Sequence, residues 1–207
     1  MRRNSRAFPV VISGPSGVGK TTIEDRLVAA DPTLVASVST TTRPPREGEK
    51  SGRDYFFVGR DVFEQMKERE LVEWAEVHEE WYGTPRRFIE NEMAAGHDVL
   101  LNVDVQGGIR VKKVFPEAVM IFILPPSFET LKQRIIKRGL DDNLDLETRL
   151  DNAVEEINAS TNYDYFVVND ELDDAVDKTQ SIIDAERCRR NRHEAGFVAG
   201  FGRRDKT

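Results

Sequence analysis

The residues of this chain that are best suited to chemistry are 14–21, Gly-Pro-Ser-Gly-Val-Gly-Lys-Thr. Their spacing of glycine, four residues, glycine, lysine and threonine is the pattern of a phosphate-binding loop. The glycines let the backbone wrap closely round an anion, and successive N–H groups then point at phosphate oxygens. In such a loop the Lys20 ammonium reaches the β- and γ-phosphates of a nucleotide, and the Thr21 hydroxyl ligates Mg²⁺.

The segments on either side of this loop supply the context that the motif needs. Residues 8–13 are apolar and β-branched, which is typical of a buried strand. Residues 22–30 place Ile23 and Leu27 on one face, which predicts a helix. The positive end of that helix would face the phosphates. A glycine turn that merely joins two elements has no use for the lysine and threonine, so we interpret 14–21 as a nucleotide site.

The bulk composition excludes several classes of protein. The 207 residues include 30 basic and 37 acidic side chains, a net charge of −7, which argues against a general nucleic-acid-binding protein. No apolar run approaches the ~20 residues that a membrane span needs, and no apolar signal region follows residues 1–6. The single Cys188 excludes an internal disulfide and favours a reducing compartment. We therefore expect a cytoplasmic protein that binds neither nucleic acid nor membranes.

Patterns typical of strands and helices alternate at both ends of the chain. Apolar strands are predicted at 98–104, 118–124 and 165–169. Helices are predicted at 106–115, at 127–138 with Ser127 as N-cap, and at 172–189. The alternation indicates an α/β fold, in which a parallel sheet is covered by helices on both faces. Ligands of such a sheet lie at the carboxyl ends of its strands.

Residues 37–97 interrupt this alternation. They contain a run of serine and threonine, two prolines, and short alternating strands such as 54–58. We expect residues 1–36 and 98–207 to form the core, with 37–97 inserted as a small mixed α/β lobe. Residues 139–150 begin as a polar stretch between two predicted helices, a position that suits a mobile lid.

Two arginines of the predicted lobe have a spacing that suits phosphate binding. Arg43 and Arg46 are three residues apart with two prolines between them. This stiff spacing can aim two guanidinium groups at one phosphate, to which Tyr55 would donate a further hydrogen bond. Taken alone, the segment is also compatible with an ordinary solvated loop.

Several motifs, in order along the chain, resemble those of the guanylate kinases. The resemblance runs from Val10 to about Ile183 and implies a P-loop kinase fold and ATP-dependent phosphorylation of GMP to GDP. Its motifs are Ser-Gly-Pro-Ser-Gly-Val-Gly-Lys-Thr, Ser-Val-Ser-Thr-Thr-Thr-Arg-Pro-Pro-Arg-Glu-Gly-Glu, Gly-Arg-Asp-Tyr-Phe-Phe, Glu-Trp-Ala-Glu-Val, Tyr-Gly-Thr, Val-Asp-Val-Gln-Gly and Val-Val-Asn-Asp.

The resemblance also implies a role for each matching side chain. The ATP site would consist of Gly14, Pro15, Ser16, Gly17, Val18, Gly19, Lys20, Thr21, Thr22 and, beside the adenine, Asn169. The GMP phosphate would be held by Arg43, Arg46, Tyr55 and Tyr82, and the guanine by Ser39, Glu73, Thr84 and Asp104. The catalytic set that stabilises the transferring phosphoryl group would be Lys20, Arg43, Arg134, Arg138 and Arg149.

The chemistry of the expected guanine site agrees with these roles. A carboxylate at Glu73 can accept from N1–H and from the exocyclic amine of guanine, while hydroxyls at Ser39 and Thr84 donate to O6. Adenine has an acceptor at N1, which would leave a buried Glu73 unpaired. Sites built on such hydrogen bonds reject the wrong ligand by ~10⁴-fold or more.

One position departs from the family pattern. Guanylate kinases usually have Asp-x-Asp after the lobe, whereas this chain has Asn102-Val103-Asp104. Asn102 keeps an acceptor oxygen for the outer shell of Mg²⁺ but lacks the charge. We therefore expect a weaker Mg²⁺ dependence than an Asn102→Asp variant would show, and equal Mg²⁺ titrations of the two proteins would contradict this.

The expected acceptor removes the need for a general base. The second pKa of a phosphate monoester is about 6, so the acceptor is largely ionised at neutral pH. His78, His97 and His193 form no arrangement that suggests a catalytic role. Catalysis would come from bringing two anions together and stabilising the developing charge.

Two alternatives remain open at the level of sequence. The acceptor could be another nucleoside monophosphate or a ribose phosphate, although Glu73, Ser39 and Thr84 favour guanine. The chain could instead resemble the guanylate kinase-like domains of membrane scaffolds, which bind phosphorylated peptides. Those domains lack a working phosphate loop, whereas residues 14–21 are intact. A monomer and a homo-oligomer are both compatible with the sequence.

Overall fold

A five-stranded parallel sheet lies at the centre of the structure, a computed structural model that describes residues 5–77, 79–138, 146–193 and 197–200. Its strand order is β2-β7-β1-β8-β9, and every neighbouring pair is parallel. The strands are β1 Pro9–Ser13, β2 Leu34–Ala36, β7 Asp98–Asn102, β8 Val119–Leu124 and β9 Tyr165–Val168. The sheet confirms the predicted α/β class.

Helices cover both faces of this sheet, because successive side chains of a strand point to opposite sides. Val10 of β1 packs on one side with Leu27 and Ile183, and Val11 packs on the other side with Val111. The helices are α1 Lys20–Ala30, α2 Arg60–Lys67, α3 Arg86–Ala95, α4 Val105–Val114, α5 Phe128–Arg138, α6 Leu146–Asn158 and α7 Leu172–Arg187, with 3₁₀ turns at Ala159–Asn162, Arg190–Arg192 and Phe197–Gly200.

A second, smaller sheet forms within the predicted lobe. Its order is β4-β3-β6-β5, with a parallel β3–β4 pair and antiparallel β3–β6 and β5–β6 pairs. Its strands are β3 Thr40–Thr41, β4 Phe56–Phe57, β5 Leu71–Val77 and β6 Glu80–Pro85. Helix α3 follows β6, and its fully buried Ile89 packs into the same cluster as Val99 and Leu101 of the central sheet. The division at residues 37 and 97 remains a prediction.

Most differences between predicted and observed elements concern their ends. The strand expected at 98–104 ends at Asn102, because Asp104 is the N-cap of α4 and accepts from Gly107 N at 2.6 Å. Ser127 caps α5 as predicted, since its hydroxyl accepts from Thr130 N at 3.1 Å. Of the predicted lid, 146–150 begin α6, whereas 139–145 lie outside the described residues, as does His78.

Among the helices that the structure describes, none is both long enough and apolar enough to span a membrane.

The glycine loop passes very close to its neighbouring strand at Gly14. Its φ is 150°, and a Cβ at this position would lie 2.3 Å from Ile123 O of β8. At Gly96, which ends α3 with a φ of 95°, a Cβ would meet nothing within 4 Å.

We predict that Gly14→Ala lowers the free energy of unfolding by more than about 2 kcal/mol, because strain and a backbone clash combine there. Gly96→Ala is the matched control and should cost only about 1 kcal/mol, from its left-handed backbone alone. Urea denaturation of both variants would measure the difference, and equal losses would contradict the close approach.

Candidate active site

The loop between β1 and α1 forms one wall of a cavity of about 610 Å³ at the carboxyl edge of the central sheet. Gly19 adopts a φ of 101° and is the N-cap of α1, so the helix begins directly at Lys20. The same cavity is lined by side chains from distant parts of the chain, namely Arg46, Asn102, Asp104 and Glu156. A helix N-terminus with a surrounding glycine loop is a favourable site for an anion.

Lys20 and Asn169 both bond to the backbone of this loop. The Lys20 ammonium donates to Gly14 O and, at 3.3 Å, to Pro15 O. Asn169 is buried, and its amide nitrogen donates to Val18 O at 2.7 Å. Arg134 of α5 in turn donates to Asn169 O at 3.0 Å. The loop is therefore held in place from the end of β9, 151 residues further along the chain.

A second cavity, of about 450 Å³, lies between the central sheet and the lobe. The lobe contributes Ser39, Tyr55 and Thr84 to its lining. Thr21, Asn102 and Val103 line this cavity and the loop cavity as well. Two molecules bound in the two cavities would consequently meet at these three shared residues.

Glu73 and Thr84 form a buried pair beside the second cavity. They face each other across the antiparallel β5–β6 ladder, and the Thr84 hydroxyl donates to Glu73 Oε1 at 2.5 Å. Glu73 is only 8% exposed, and this burial raises the pKa of its carboxyl group, against the lowering effect of the Thr84 hydrogen bond. A buried carboxylate that accepts from one neighbouring residue retains acceptor capacity for a ligand that brings N–H groups.

The two phosphate-binding arginines predicted in the lobe share one acidic partner. Arg43 Nη2 lies 2.8 Å from Glu49 Oε1, and the backbone N–H of Arg46 donates to Glu49 Oε2 at 2.7 Å. The Arg43 guanidinium lies 5.4 Å from the ring centroid of Tyr55, whose ring is 5.9 Å from that of Tyr82. The structure thus brings together the side chains of Arg43, Tyr55 and Tyr82, whereas Arg46 joins this group through its backbone and lines the loop cavity.

Comparisons with known proteins identify the family of this chain. A family model described as guanylate kinase matches residues 6–186. The chain belongs to the guanylate kinase family. It is 51% identical over 180 residues to the guanylate kinase of Nitrosomonas europaea, covering 86% of this chain and 90% of that protein. The guanylate kinase of Caldanaerobacter subterraneus is 46% identical over 186 residues, covering 89% and 90%.

A solved structure extends the similarity to the fold. The crystal structure of guanylate kinase from Anaplasma phagocytophilum superposes with a TM-score of 0.76 at 32% sequence identity. The match covers 99% of this chain and 100% of that one. Members of the guanylate kinase family catalyse ATP-dependent phosphorylation of GMP to GDP.

The other arginines expected in a guanylate kinase site lie on neighbouring helices. Arg149 is on α6, is 8% exposed, and directs Nη1 towards Ile135 O of α5 at 3.5 Å. Arg138 ends α5, and its side chain lies outside the described part of the structure. Among the described arginines, Arg46 lines the loop cavity. Arg134 instead donates to the backbone oxygen of Asn169. The roles of these arginines in transfer remain predictions.

Sequence reasoning missed two carboxylates of this guanylate kinase site. Glu24 of α1 accepts from the Asn102 amide at 2.8 Å, and burial raises its pKa to about 7. Glu156 of α6 lines the loop cavity; burial raises its pKa, which the charge of Lys20 opposes. Helical spacing offered the signal, because Glu24 is three residues after Thr21 and Glu156 is seven after Arg149.

The raised pKa of Glu73 predicts a pH dependence of stability. Its carboxyl binds a proton more tightly in the folded chain than in the unfolded chain, whose reference pKa is 4.5. The native state therefore holds more protons between those two pKa values, and the free energy of unfolding falls as the pH rises through this window.

We expect wild-type protein to lose more unfolding free energy between pH 5 and pH 8 than Glu73→Gln does. Urea denaturation at both pH values measures this, with Glu76→Gln, an exposed position on the same strand, as the control. Equal losses of unfolding free energy in wild type and Glu73→Gln would contradict a raised pKa of Glu73 in the folded protein.

Proposed function

We propose that this chain transfers the γ-phosphoryl group of ATP to the phosphate of GMP, with ATP on the glycine loop and GMP in the lobe cavity. The observation that carries this proposal is the common wall of the two cavities at Thr21, Asn102 and Val103. A donor on one side and an acceptor on the other would be held within reach of each other. Such positioning replaces a bimolecular encounter and supplies much of the catalysis.

Guanine selection follows from the Glu73–Thr84 pair. Guanine presents N1–H and an exocyclic amine, which match the remaining acceptor capacity of the Glu73 carboxylate. The Thr84 hydroxyl already donates to Glu73 at 2.5 Å, which orients the carboxylate before the nucleotide arrives. Ser39 lines the same cavity and is a donor for O6. Adenine would leave the buried carboxylate facing an acceptor, which is costly.

The phosphate of GMP would be held by Arg43, Arg46, Tyr55 and Tyr82. Glu49 now accepts from the Arg43 side chain and the Arg46 backbone, which keeps this charged loop ordered. A phosphate that reaches this loop offers the guanidinium groups more acceptor oxygens than one carboxylate does. We therefore propose that the Glu49 carboxylate binds Arg43 in place of the GMP phosphate when no nucleotide is present.

A Mg²⁺ ion fits the side chains at the junction of the cavities. Within the described residues no group of three His, Cys, Asp or Glu forms a metal cluster, so most ligands would have to be phosphate oxygens and water. That is the usual coordination of Mg²⁺ in kinases. The Thr21 hydroxyl would hold the ion, with Asn102 and Asp104 nearby in the same cavity. The ion would neutralise charge on the β- and γ-phosphates.

The protein groups stabilise the charge that moves during transfer. Lys20, which now donates to Gly14 O and Pro15 O, lies at the mouth of the loop and would turn to the phosphates. Arg134, Arg138 and Arg149 lie on α5 and α6, which flank residues 139–145 of the expected lid. Closure of lobe and lid over both nucleotides would exclude water, the competing acceptor.

The test is ADP formation from ATP with GMP, AMP or dTMP as acceptor. We expect GMP to be the preferred acceptor, with Glu73→Gln lowering kcat/KM for GMP by about 10²-fold or more, because an amide donor would face the guanine N–H groups. Glu76→Gln should behave as wild type.

Two results would contradict the proposal. Faster turnover of AMP or dTMP than of GMP would reject guanine as the acceptor base. Unchanged activity in Lys20→Ala would reject phosphoryl transfer at the glycine loop, and absence of activity in the wild type would favour a binding role.

A further inference from the structure

A hydrogen bond joins the first helix to the end of the neighbouring strand at the junction of the two cavities. The Asn102 amide nitrogen donates to Glu24 Oε2 at 2.8 Å, across 78 residues of sequence. Both side chains and Thr21 line the cavity next to the lobe. The contact therefore lies where the proposed donor and acceptor would meet.

Helical geometry places the Glu24 carboxylate on the same side of α1 as the Thr21 hydroxyl. The two residues are three apart in a helix that begins at Lys20, so they are neighbours on one face. The Asn102 amide reaches the same carboxylate from β7 and limits its rotation. A carboxyl group is thus held beside the hydroxyl that is proposed to ligate Mg²⁺, and a cation bound there would favour its ionised form.

The charge on this carboxylate is poorly compensated by the protein. Glu24 is partly buried, and its exposed helix neighbour Asp25 adds a second negative charge. The Asn102 amide contributes a hydrogen bond but no positive charge. A hydrated cation at Thr21 would supply what the carboxylate lacks, because water molecules of a Mg²⁺ shell are strong hydrogen-bond donors.

We propose that Glu24 and Asn102 act as one acid–amide unit in the outer shell of the nucleotide-bound Mg²⁺, with Glu24 carrying the negative charge that position 102 lacks. This rests on the proposed function, since it requires ATP with Mg²⁺ on the glycine loop. Glu24 is a positioning residue, because it would act on the ion through water. Partners of this kind commonly change metal affinity by about 10- to 100-fold.

The hydrogen bond also changes what is expected of Asn102→Asp. That substitution would place two carboxylates about 2.8 Å apart, at the distance of the present bond. Two such groups cannot both ionise at low cost. Asn102→Asp alone should therefore lower the melting temperature instead of improving the site. Exchange of acid and amide, in Glu24→Gln with Asn102→Asp, should relieve the repulsion.

The experiment measures binding of the non-hydrolysable ATP analogue AMP-PNP by calorimetry, with and without Mg²⁺, for the whole chain and without GMP. The dissociation constant without Mg²⁺, divided by the constant with Mg²⁺, reports how strongly the metal supports nucleotide binding. We expect Glu24→Gln to reduce this ratio about tenfold, and the exchanged double variant to restore it to within about threefold of wild type.

Asp25→Asn is the matched control, because it removes one negative charge from the adjacent, exposed position of the same helix and cavity wall. Its ratio should stay within about twofold of wild type, which separates a positioned carboxylate from general charge. Melting curves of each variant without ligand establish that all are folded.

The outcomes are distinguishable. An unchanged ratio in Glu24→Gln overturns this inference while the proposed function stands. The same holds if the ratio of the double variant is as low as that of Glu24→Gln. Equal reductions in Glu24→Gln and Asp25→Asn overturn it as well, because charge alone would then explain the effect. Failure of wild-type protein to bind AMP-PNP overturns both.

Discussion

The close approach of the glycine loop to its neighbours is the constraint on which the remainder of the site depends. Gly14 passes against the backbone of β8, where a side chain would overlap Ile123 O, and Val18 O is bonded by Asn169 from the end of β9. The loop is therefore fixed against β8 and against the end of β9. Its N–H groups and the start of α1 are held at the carboxyl edge, which is where ligands of parallel sheets bind.

The position of that loop also determines where the second cavity can act. Thr21 lies in the first turn of α1, and it lines the lobe-side cavity together with Asn102, the last residue of β7. Both cavities use these two residues and Val103 as a common wall. The reaction of the guanylate kinase family requires such a junction, since two anions must be brought together before any charge can move between them.

Three carboxyl groups around this junction are held in surroundings that favour their neutral form. Burial is the largest cause of the raised pKa at Glu24, Glu73 and Glu156. Such groups lower the stability of the unliganded fold, and a ligand that brings N–H groups or positive charge beside them would offset part of that cost. Strongly perturbed groups in a cleft are typical of functional sites, where stability is given up for recognition.

The sequence alone determined the phosphate loop, the strand before it and the helix after it, because these depend on residues that are neighbours along the chain. It did not reveal the hydrogen bond between Asn102 and Glu24 or the one from Asn169 to the loop. Nor did it reveal that Glu49 accepts from the Arg43 side chain and the Arg46 backbone. Only the tertiary structure decided those contacts. They join separate strands, helices and loop turns, and their partners are selected by strand order and packing, which short-range spacing does not encode.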